Sequence, residues 1–297
     1  MRVVATLTTR PKYHSGLKET LDSLLEQFDD VYLGLPKISK NGIKYPKFSH
    51  KGVKIVHLEE DLGPASKILG ALISEERNKN TLIVSVDDDY KYNKNLRKFF
   101  EKEREKDLKK GINRVLSQSG VFIKYWNFGH LGLNGGWHDR DYFFDLNKYQ
   151  KLTTIAGYAG VSYPSNIFPD TKDYIYFIKK YYNDKILFLN DDVLISGYLA
   201  KLGIERYRIS NSIKDLGKNN KSEGDEMLSP PLEEIFEACY KIKDLFQNNN
   251  PTKYFSPVIL DGIFIGIIAG LIIFIYFFLF LKSKYSSKKT INKNARI

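Results

Sequence analysis

Three consecutive carboxylates follow an apolar run in the first third of the sequence. Segment 81–90 reads TLIVSVDDDY, so Asp87, Asp88 and Asp89 come directly after six residues suited to a buried strand. Adjacent carboxylates repel one another, and they stay ionised in a cleft only where cations meet them. A hard divalent cation with oxygen ligands is the usual partner. The sequence therefore predicts a metal site at the end of this strand.

The spacing of these acids suits a metal site, although an isolated Asp triplet is more often a solvated acidic loop. On an extended backbone, Asp87 and Asp89 point to one side and Asp88 to the other. Two carboxylates are thus offered to one site, one for a metal and the other for a sugar hydroxyl. The strand in front adds weight, because ligands bind beyond the carboxyl ends of parallel strands.

A candidate anion site lies in the segment EEDLGPASK. Gly63 and Pro64 would open a helix whose first turn carries free N–H donors and the positive end of the helix dipole. Lys67 lies within that turn. An ordinary helix start with a solvated lysine is the alternative interpretation. Beside a metal site, the segment fits a diphosphate held by Mg²⁺ or Mn²⁺ and a lysine.

A pair of acids, Asp191 and Asp192, stands between FLN and the helical pattern VLISGYLAKL. FLN is interpreted as the end of a strand. Acids at the start of a helix are stabilised by its dipole, and one of the pair would cap the helix. One would also suit a general base that takes a proton from an attacking hydroxyl. Capping and catalysis are compatible, and the sequence leaves both open.

Alternating strand and helix patterns would position these acids. The apolar runs VVATLT, VYLGL, VKIVHL and TLIVSV alternate with the amphipathic stretches GLKETLDSLLEQF and PASKILGALISEE. This alternation predicts an α/β fold with a mostly parallel sheet flanked by helices. The segments TTRP, EEDLGPASK and DDDY would then meet at the carboxyl edge of the sheet.

Two further segments are candidates for contact with a sugar. The glycines of GYAGVSY, Gly157 and Gly160, allow close backbone approach, so this segment would carry Tyr158 past a donor sugar or an acceptor. A strand with a bulge is the alternative. Trp137 and His138 lie in the long stretch NFGHLGLNGGWHDRDYFFD, which has the length of a lid. They would stack on a sugar or reach its phosphates; a structural aromatic is the alternative for Trp137.

Four blocks, VSVDDDY, LGPASKILGAL, GYAGVSYPSNIF and NDDVLISGYLAKLGI, together resemble those of GT-A-fold nucleotide-diphospho-sugar glycosyltransferases, closest to a family-two-like or exostosin-like pattern. The resemblance covers residues 3–210. It implies a GT-A-type, Rossmann-like sheet and a Mn²⁺ or Mg²⁺ cofactor. It also implies inverting transfer from a nucleotide-sugar donor, most commonly a UDP-sugar, to a hydroxyl acceptor on a glycan, protein or lipid.

The resemblance also implies roles for individual residues. Asp89 would coordinate the metal, Asp87 would share the metal site or contact the ribose, and Asp88 would support the donor sugar. Asp192 would be the base in preference to Asp191. The remaining nucleotide-sugar-binding residues would be Thr8, Thr9, Arg10, Asp61 and Lys67. No histidine follows His138 to act as a late metal ligand; Glu223, Asp225, Glu226 or water would take that place.

A membrane anchor is predicted near the end of the sequence. Residues 262–281 are uncharged and overwhelmingly apolar over the length that a spanning helix needs. A buried core helix is the alternative, but such a helix normally has a polar stripe. The expected organisation is a GT-A-like domain at 1–247, a linker at 248–258, a transmembrane helix at 259–281 and a basic tail at 282–297.

The orientation of this single-pass, C-terminally anchored protein is open. The N-terminal run is too short for a signal peptide, which favours a cytosolic catalytic domain. The basic tail favours the opposite orientation by the positive-inside tendency. The net charge of +11 partly reflects six Lys or Arg residues in that tail. No RNA-binding signature accompanies the charge, so no nucleic-acid partner is predicted.

Two other functions fit parts of the sequence. A sugar nucleotidyltransferase would normally show a Gly-rich signature near the first strand, whereas TTRPKYHSG has one glycine. A non-catalytic, membrane-tethered nucleotide-sugar-binding module would have no reason to keep repelling carboxylates at three positions. The single cysteine, Cys239, excludes an intrachain disulfide and a Cys-based zinc site.

Overall fold

The computed structural model describes residues 1–12, 16–123, 137–138, 149–209, 217–219 and 232–248. All of them belong to one compact unit, Met1–Asn250. The predicted transmembrane helix, the basic tail and nearly all of the predicted linker lie outside these residues. None of the helices in the described ranges has the length and apolar character needed to cross a membrane. The anchor therefore stays a prediction.

Strands and helices alternate through the first half of this unit, as predicted. The strands are β1 (Arg2–Thr8), β2 (Asp30–Pro36), β3 (Val53–Leu58), β4 (Thr81–Ser85), β5 (Tyr90–Tyr92), β6 (Val115–Ser117), β7 (Gly120–Ile123), β8 (Trp137–His138), β9 (Tyr149–Lys151), β10 (Thr154–Ile155), β11 (Val161–Pro164), β12 (Arg206–Ile209) and β13 (Gly217–Asn219). The α-helices are α1 (Leu17–Leu25), α2 (Leu69–Ser74), α3 (Leu96–Lys109), α4 (Thr171–Lys180), α5 (Lys185–Leu189), α6 (Asp191–Lys201), α7 (Leu232–Lys241) and α8 (Lys243–Asn248).

The central sheet is mixed and mostly parallel, which confirms the predicted α/β class. Its order is β3-β2-β1-β4-β11-β6-β12-β9. The strands β3, β2, β1 and β4 are parallel to one another. Strand β11 runs antiparallel to both of its neighbours, β4 and β6. Since β1 and β4 are parallel neighbours, the segments that follow Thr8 and Ser85 leave the sheet at the same edge.

The side chains of β1 alternate between the two faces of the sheet. Val3, Ala5 and Leu7 pack with α1 and α3 in one core, whereas Val4 packs with α2, α4 and α6 in the other. Thr6 lies between Val4 and the carboxyl edge on the second face, where its hydroxyl donates to the carbonyl of Lys67 at 2.7 Å. The sheet is therefore covered by helices on both faces, and Thr6 attaches the Lys67 segment to its centre.

Two local predictions were wrong. The residues before Asp191 were interpreted as a strand end, but KILFL forms the short helix α5, in which the Asp184 carboxylate accepts the N–H groups of Ile186 and Leu187. The three acids were placed on extended backbone, but β4 ends at Ser85, and Asp87 leads into a turn at Asp88 and Asp89 before β5. Strict alternation therefore does not set their directions.

Candidate active site

The segment around Lys67 is built on a glycine in an unusual conformation. Gly63 has a φ of 71°, and a Cβ there would lie 2.9 Å from the carbonyl oxygen of Phe188. The Asp61 carboxylate accepts the N–H of Gly63 and the N–H of Lys40, both at 2.9 Å. The chain then forms a 3₁₀ turn, Pro64–Ile68, that leads into α2. The predicted helix start is therefore a 3₁₀ turn, and Asp61 uses its oxygens to shape it.

Lys67 is a buried cation among carboxylates. Its Nζ contacts Asp87 and lies 2.6 Å from Oδ2 of Asp191. Burial lowers the pKa of the ammonium, but the charges of Asp191, Asp87 and Asp192 outweigh burial and raise it well above the ordinary value. Lys67 is therefore charged at neutral pH, and it joins the end of β4 to the start of α6.

The carboxylate of Asp192 lies close to the ammonium group of Lys67. Its Oδ1 accepts the N–H of Gly157 at 2.9 Å. Burial and the charge of Asp191 raise its pKa well above the ordinary value, against the opposing effects of Lys67 and of that hydrogen bond. A carboxylate with a raised pKa is a better proton acceptor than an exposed one, which suits a general base. Asp191, in contrast, is ion-paired with Lys67.

Side chains from three predicted segments, those of Lys67, Asp87 and Asp192, meet at one point beside Gly157. A Cβ on Gly157 would lie 2.6 Å from Nζ of Lys67, 3.0 Å from Oδ1 of Asp192 and 3.2 Å from Oδ1 of Asp87. The lysine, the candidate base and the first acid of the triplet thus surround one position. The backbone at Gly157 therefore lies close to these three side chains, and its approach to a sugar stays a prediction.

Replacing Gly157 by Ala is expected to lower turnover by roughly 10²-fold, because the methyl group displaces Lys67 and Asp192 from their positions and a misplacement of about 1 Å costs that much. Gly34→Ala is the matched control, since the nearest atom to its Cβ would be 3.5 Å away. Steady-state kinetics with thermal unfolding of both variants provides the measurement. Equal turnover in the two variants would show that Gly157 does not constrain the site.

The acidic turn is fixed by hydrogen bonds on both sides. Thr9 donates its hydroxyl to the carboxylate of Asp88, and Thr20 donates to the carbonyl of Asp88 at 3.1 Å. The N–H of Asp87 donates to the hydroxyl of Tyr92 at 2.9 Å. Asp88 therefore faces the segment after β1, whereas Asp87 faces Lys67, so the two acids take different partners.

Tyr92 is a positioning residue that the sequence analysis missed. Its buried hydroxyl accepts from the N–H of Asp87 and donates to the carbonyl of Tyr158 at 3.1 Å. It therefore connects the acidic turn to the Gly157 segment. Burial is the first cause of a pKa well above the ordinary tyrosine value, so the hydroxyl stays protonated and can donate. The alternation of YKY after the acids was the available signal, because it places Tyr90 and Tyr92 on one side.

Tyr92→Phe is expected to reduce the free energy of unfolding by about 1–3 kcal/mol, because the N–H of Asp87 and the carbonyl of Tyr158 each lose a buried hydroxyl partner while the ring stays packed. Urea denaturation measures this change. Tyr45→Phe removes a hydroxyl that donates to the Thr9 carbonyl at 3.1 Å from a half-buried position. Water can replace that bond, so the control should lose less. A Tyr92→Phe variant as stable as the wild type would contradict the positioning role.

The structure brings together most, though not all, of the predicted site residues. Around Gly157 and the acidic turn lie Thr9, Lys67, Asp87, Asp88, Tyr158, Asp191 and Asp192. Thr8 turns away and donates its hydroxyl to the carbonyl of Gly34 at 2.8 Å. Gly160 has a φ of 82° and lies against Leu96 and Phe100. Gly160 therefore has a role in packing and backbone conformation, and its contact with a sugar stays a prediction.

Several predicted residues lie outside what the structure describes. Trp137 and His138 form β8, but their side chains are outside the described part of the chain. The proposed late metal ligands Glu223, Asp225 and Glu226 fall in the undescribed range 220–231. Arg10 follows β1 next to Thr9. The roles of these residues stay predictions.

The donor set fits a metal only when a substrate completes it. Among the described residues, no three His, Cys, Asp or Glu side chains are placed to share an ion. Asp87 and Asp89 carry the kind of oxygen ligand that a hard cation takes, and Mg²⁺ is commonly bound by one or two carboxylates together with substrate phosphates and water. The residues present therefore suit a cation that arrives with a diphosphate better than a preformed protein cage.

Comparisons with known proteins matched solved structures only. No protein-family model matches the chain, and no curated protein matches it. Among solved structures, S. aureus TarS 1-349 in complex with UDP-GlcNAc is similar at 18% identity and a TM-score of 0.46, over 84% of this chain and 68% of that one.

Two further solved structures are also similar. The 4-diphosphocytidyl-2C-methyl-D-erythritol synthase of Anaerococcus prevotii shows 13% identity and a TM-score of 0.39, over 81% of this chain and 96% of that one. The 2-C-methyl-D-erythritol 4-phosphate cytidylyltransferase of Francisella tularensis shows 10% identity and a TM-score of 0.38, over 81% of this chain and 98% of that one. At these identities and TM-scores, no activity transfers to the present chain.

Proposed function

We propose that the chain is a metal-dependent, inverting glycosyltransferase that moves a sugar from a nucleotide-diphosphate donor, with a UDP-sugar as the first candidate, to a hydroxyl acceptor. One observation carries the proposal: Asp87, Lys67 and Asp192 meet within 3.2 Å of one point beside Gly157. They come from three separate segments at the carboxyl edge of the sheet. That edge is where α/β sheets bind their ligands.

The side chains divide the reaction between them. Asp192 takes the proton of the acceptor hydroxyl as its oxygen attacks the anomeric carbon. The bond from that carbon to the phosphate oxygen breaks on the opposite face, and the nucleoside diphosphate leaves with the electron pair. Such an attack inverts the anomeric configuration. Lys67 keeps a positive charge beside the negative charge that grows on the leaving group.

Asp87 and Asp89 are the residues that would hold Mn²⁺ or Mg²⁺. When bound, the cation would neutralise part of the charge on the departing diphosphate. Thr9 fixes Asp88, and Tyr92 fixes the backbone of Asp87, so the turn is held in place before a donor arrives. The hydroxyl acceptor belongs to a glycan, a protein or a lipid. Membrane attachment through residues 259–281 is part of the proposal.

A transfer assay tests the function. The full chain, purified in detergent, is incubated with UDP-, GDP- and ADP-sugars and with glycan, protein and lipid acceptors, in Mn²⁺ or in EDTA. The proposal predicts metal-dependent release of nucleoside diphosphate and a product of inverted anomeric configuration by NMR. Pyrophosphate release from a nucleoside triphosphate and a sugar phosphate would instead identify a nucleotidyltransferase. Donor binding with no turnover for any acceptor would identify a binding module.

A further inference from the structure

The connection between β2 and β3, residues 37–52, is a preformed basic hairpin. We call it the lysine hairpin; its sequence is KISKNGIKYPKFSHKG. The N–H of Ser39 donates to the carbonyl of Ile43 at 2.8 Å, and Ile38 pairs with Lys44 in an isolated antiparallel β-bridge. Gly42 makes the tip with a φ of 80°. These bonds hold the tip of the hairpin in shape without any contribution from Ile38 and Ile43.

The base of the lysine hairpin is attached beside the candidate site. The hydroxyl of Tyr45 donates to the carbonyl of Thr9 at 3.1 Å, and the N–H of Lys40 donates to Asp61. Tyr45 and Phe48 pack against the core that contains α1. The hairpin is thus a rigid projection at the carboxyl edge of the sheet.

Its outer surface combines cations with exposed aliphatic side chains. Residues 37–52 contain five lysines and no acidic residue. In the described part of the chain, Lys37, Lys44, Lys47 and Lys51 are exposed and form no ion pair. Ile38 and Ile43 are 49% and 57% exposed. Lysines beside exposed isoleucines suit the boundary between anionic headgroups and acyl chains, where each kind of side chain finds its preferred surroundings.

We propose that the lysine hairpin docks on an anionic membrane surface, with Ile38 and Ile43 entering the headgroup boundary and the four exposed lysines contacting lipid phosphates. A soluble polyanion would use the lysines but would gain nothing from the isoleucines. The apolar run 262–281 independently predicts that the chain is held at a membrane. Docking would turn the carboxyl edge of the sheet towards the bilayer. This inference does not depend on the proposed sugar transfer.

Site-specific fluorescence on the full chain in nanodiscs tests the docking. Ile43→Cys is labelled with an environment-sensitive dye; the native Cys239 is fully buried and does not compete for the label. In discs that contain phosphatidylglycerol, we expect a blue shift of the emission and quenching by doxyl lipids, both reduced by high salt. Discs of phosphatidylcholine alone should give neither. Tyr176→Cys, at a position on α4 that is 74% exposed, is the control site and should not respond.

Charge reversal provides the second comparison. Changing Lys37, Lys44, Lys47 and Lys51 to Glu should abolish the response of the label at position 43. The same change at four exposed lysines at and beyond α3, Lys98, Lys102, Lys109 and Lys110, should preserve it. Thermal unfolding checks that both variants fold. An equal response in neutral discs, an equal response at position 176, or the same blue shift with soluble polyphosphate and no lipid would overturn the proposal.

Discussion

Asp192→Asn is expected to reduce sugar transfer by about 10²–10⁴-fold, the usual contribution of a general base, without unfolding the protein. The Asn carbonyl can still accept the N–H of Gly157, but it cannot take a proton from the acceptor. Burial and Asp191 raise the pKa of Asp192, so its charged form is costly in the folded state. Removing that charge should therefore leave the thermal unfolding temperature unchanged or higher.

The matched control is Asp170→Asn, because Asp170 also begins a helix and accepts the N–H of Lys172 at 3.0 Å, which Asn can do as well. This control should keep wild-type turnover. In the wild type, kcat/KM should rise with pH through the raised pKa of Asp192, since the base must be deprotonated. An Asp192→Asn variant with wild-type turnover would assign the base elsewhere, with Asp191 as the next candidate.

Lys67→Met is expected to lower the free energy of unfolding by about 3 kcal/mol. This is the lower end of the range for breaking a buried ion pair, because the side chain of Asp87 is 29% exposed and water can screen it. Methionine keeps much of the volume but leaves Asp87 and Asp191 without their cation. Turnover should also be lost. Lys201→Met, which breaks the exposed pair with Asp173 at 2.9 Å, should cost less than about 1 kcal/mol.

The stabilisation by Lys67 should have a defined pH dependence. Its pKa is higher in the folded than in the unfolded chain, so its contribution is complete below the unfolded value of about 10.4 and is lost as the pH rises through the folded value. The difference in unfolding free energy between wild type and Lys67→Met should thus shrink only in the alkaline range. Urea denaturation from pH 7 to 11 measures it. A difference that grows with pH would contradict a charged, ion-paired lysine.

The alternation of apolar runs was sufficient to predict the parallel half of the sheet. Parallel strands end at a common edge, so Lys67 and Asp87 were expected at the same edge. Because β2 and β1 separate β3 from β4, the hydrogen bond from Thr6 to the Lys67 carbonyl is what holds the Lys67 segment over β1, next to β4. The position of Asp192 could not be predicted from strand order, because α6 follows the helix α5 and does not follow a strand. The resemblance of the four blocks implied only its role as a base, which stays a prediction; the structure shows that its carboxylate accepts the N–H of Gly157.

The failures have local causes. KILFL is too short for periodicity to distinguish a strand from a helix, and the cap supplied by Asp184 decided the outcome. The alternation of YKY showed only that Tyr90 and Tyr92 share a side, and the role of Tyr92 was missed because one of its partners, Tyr158, is 66 positions away in sequence. Lys67 pairs with acids because it is buried. Its burial could not be predicted from the sequence of its own segment.

The central claim is that Asp87 and Asp89, with Lys67, form a site for a metal-bound nucleoside diphosphate. Thermal unfolding of the full chain with UDP, GDP or ADP, with and without Mn²⁺, tests it most directly, because a ligand of the folded state raises the melting temperature. We predict that one nucleotide stabilises the wild type only with Mn²⁺, and that Asp89→Asn removes this effect. No stabilisation by any nucleotide, or an equal response of Asp89→Asn, would contradict the claim.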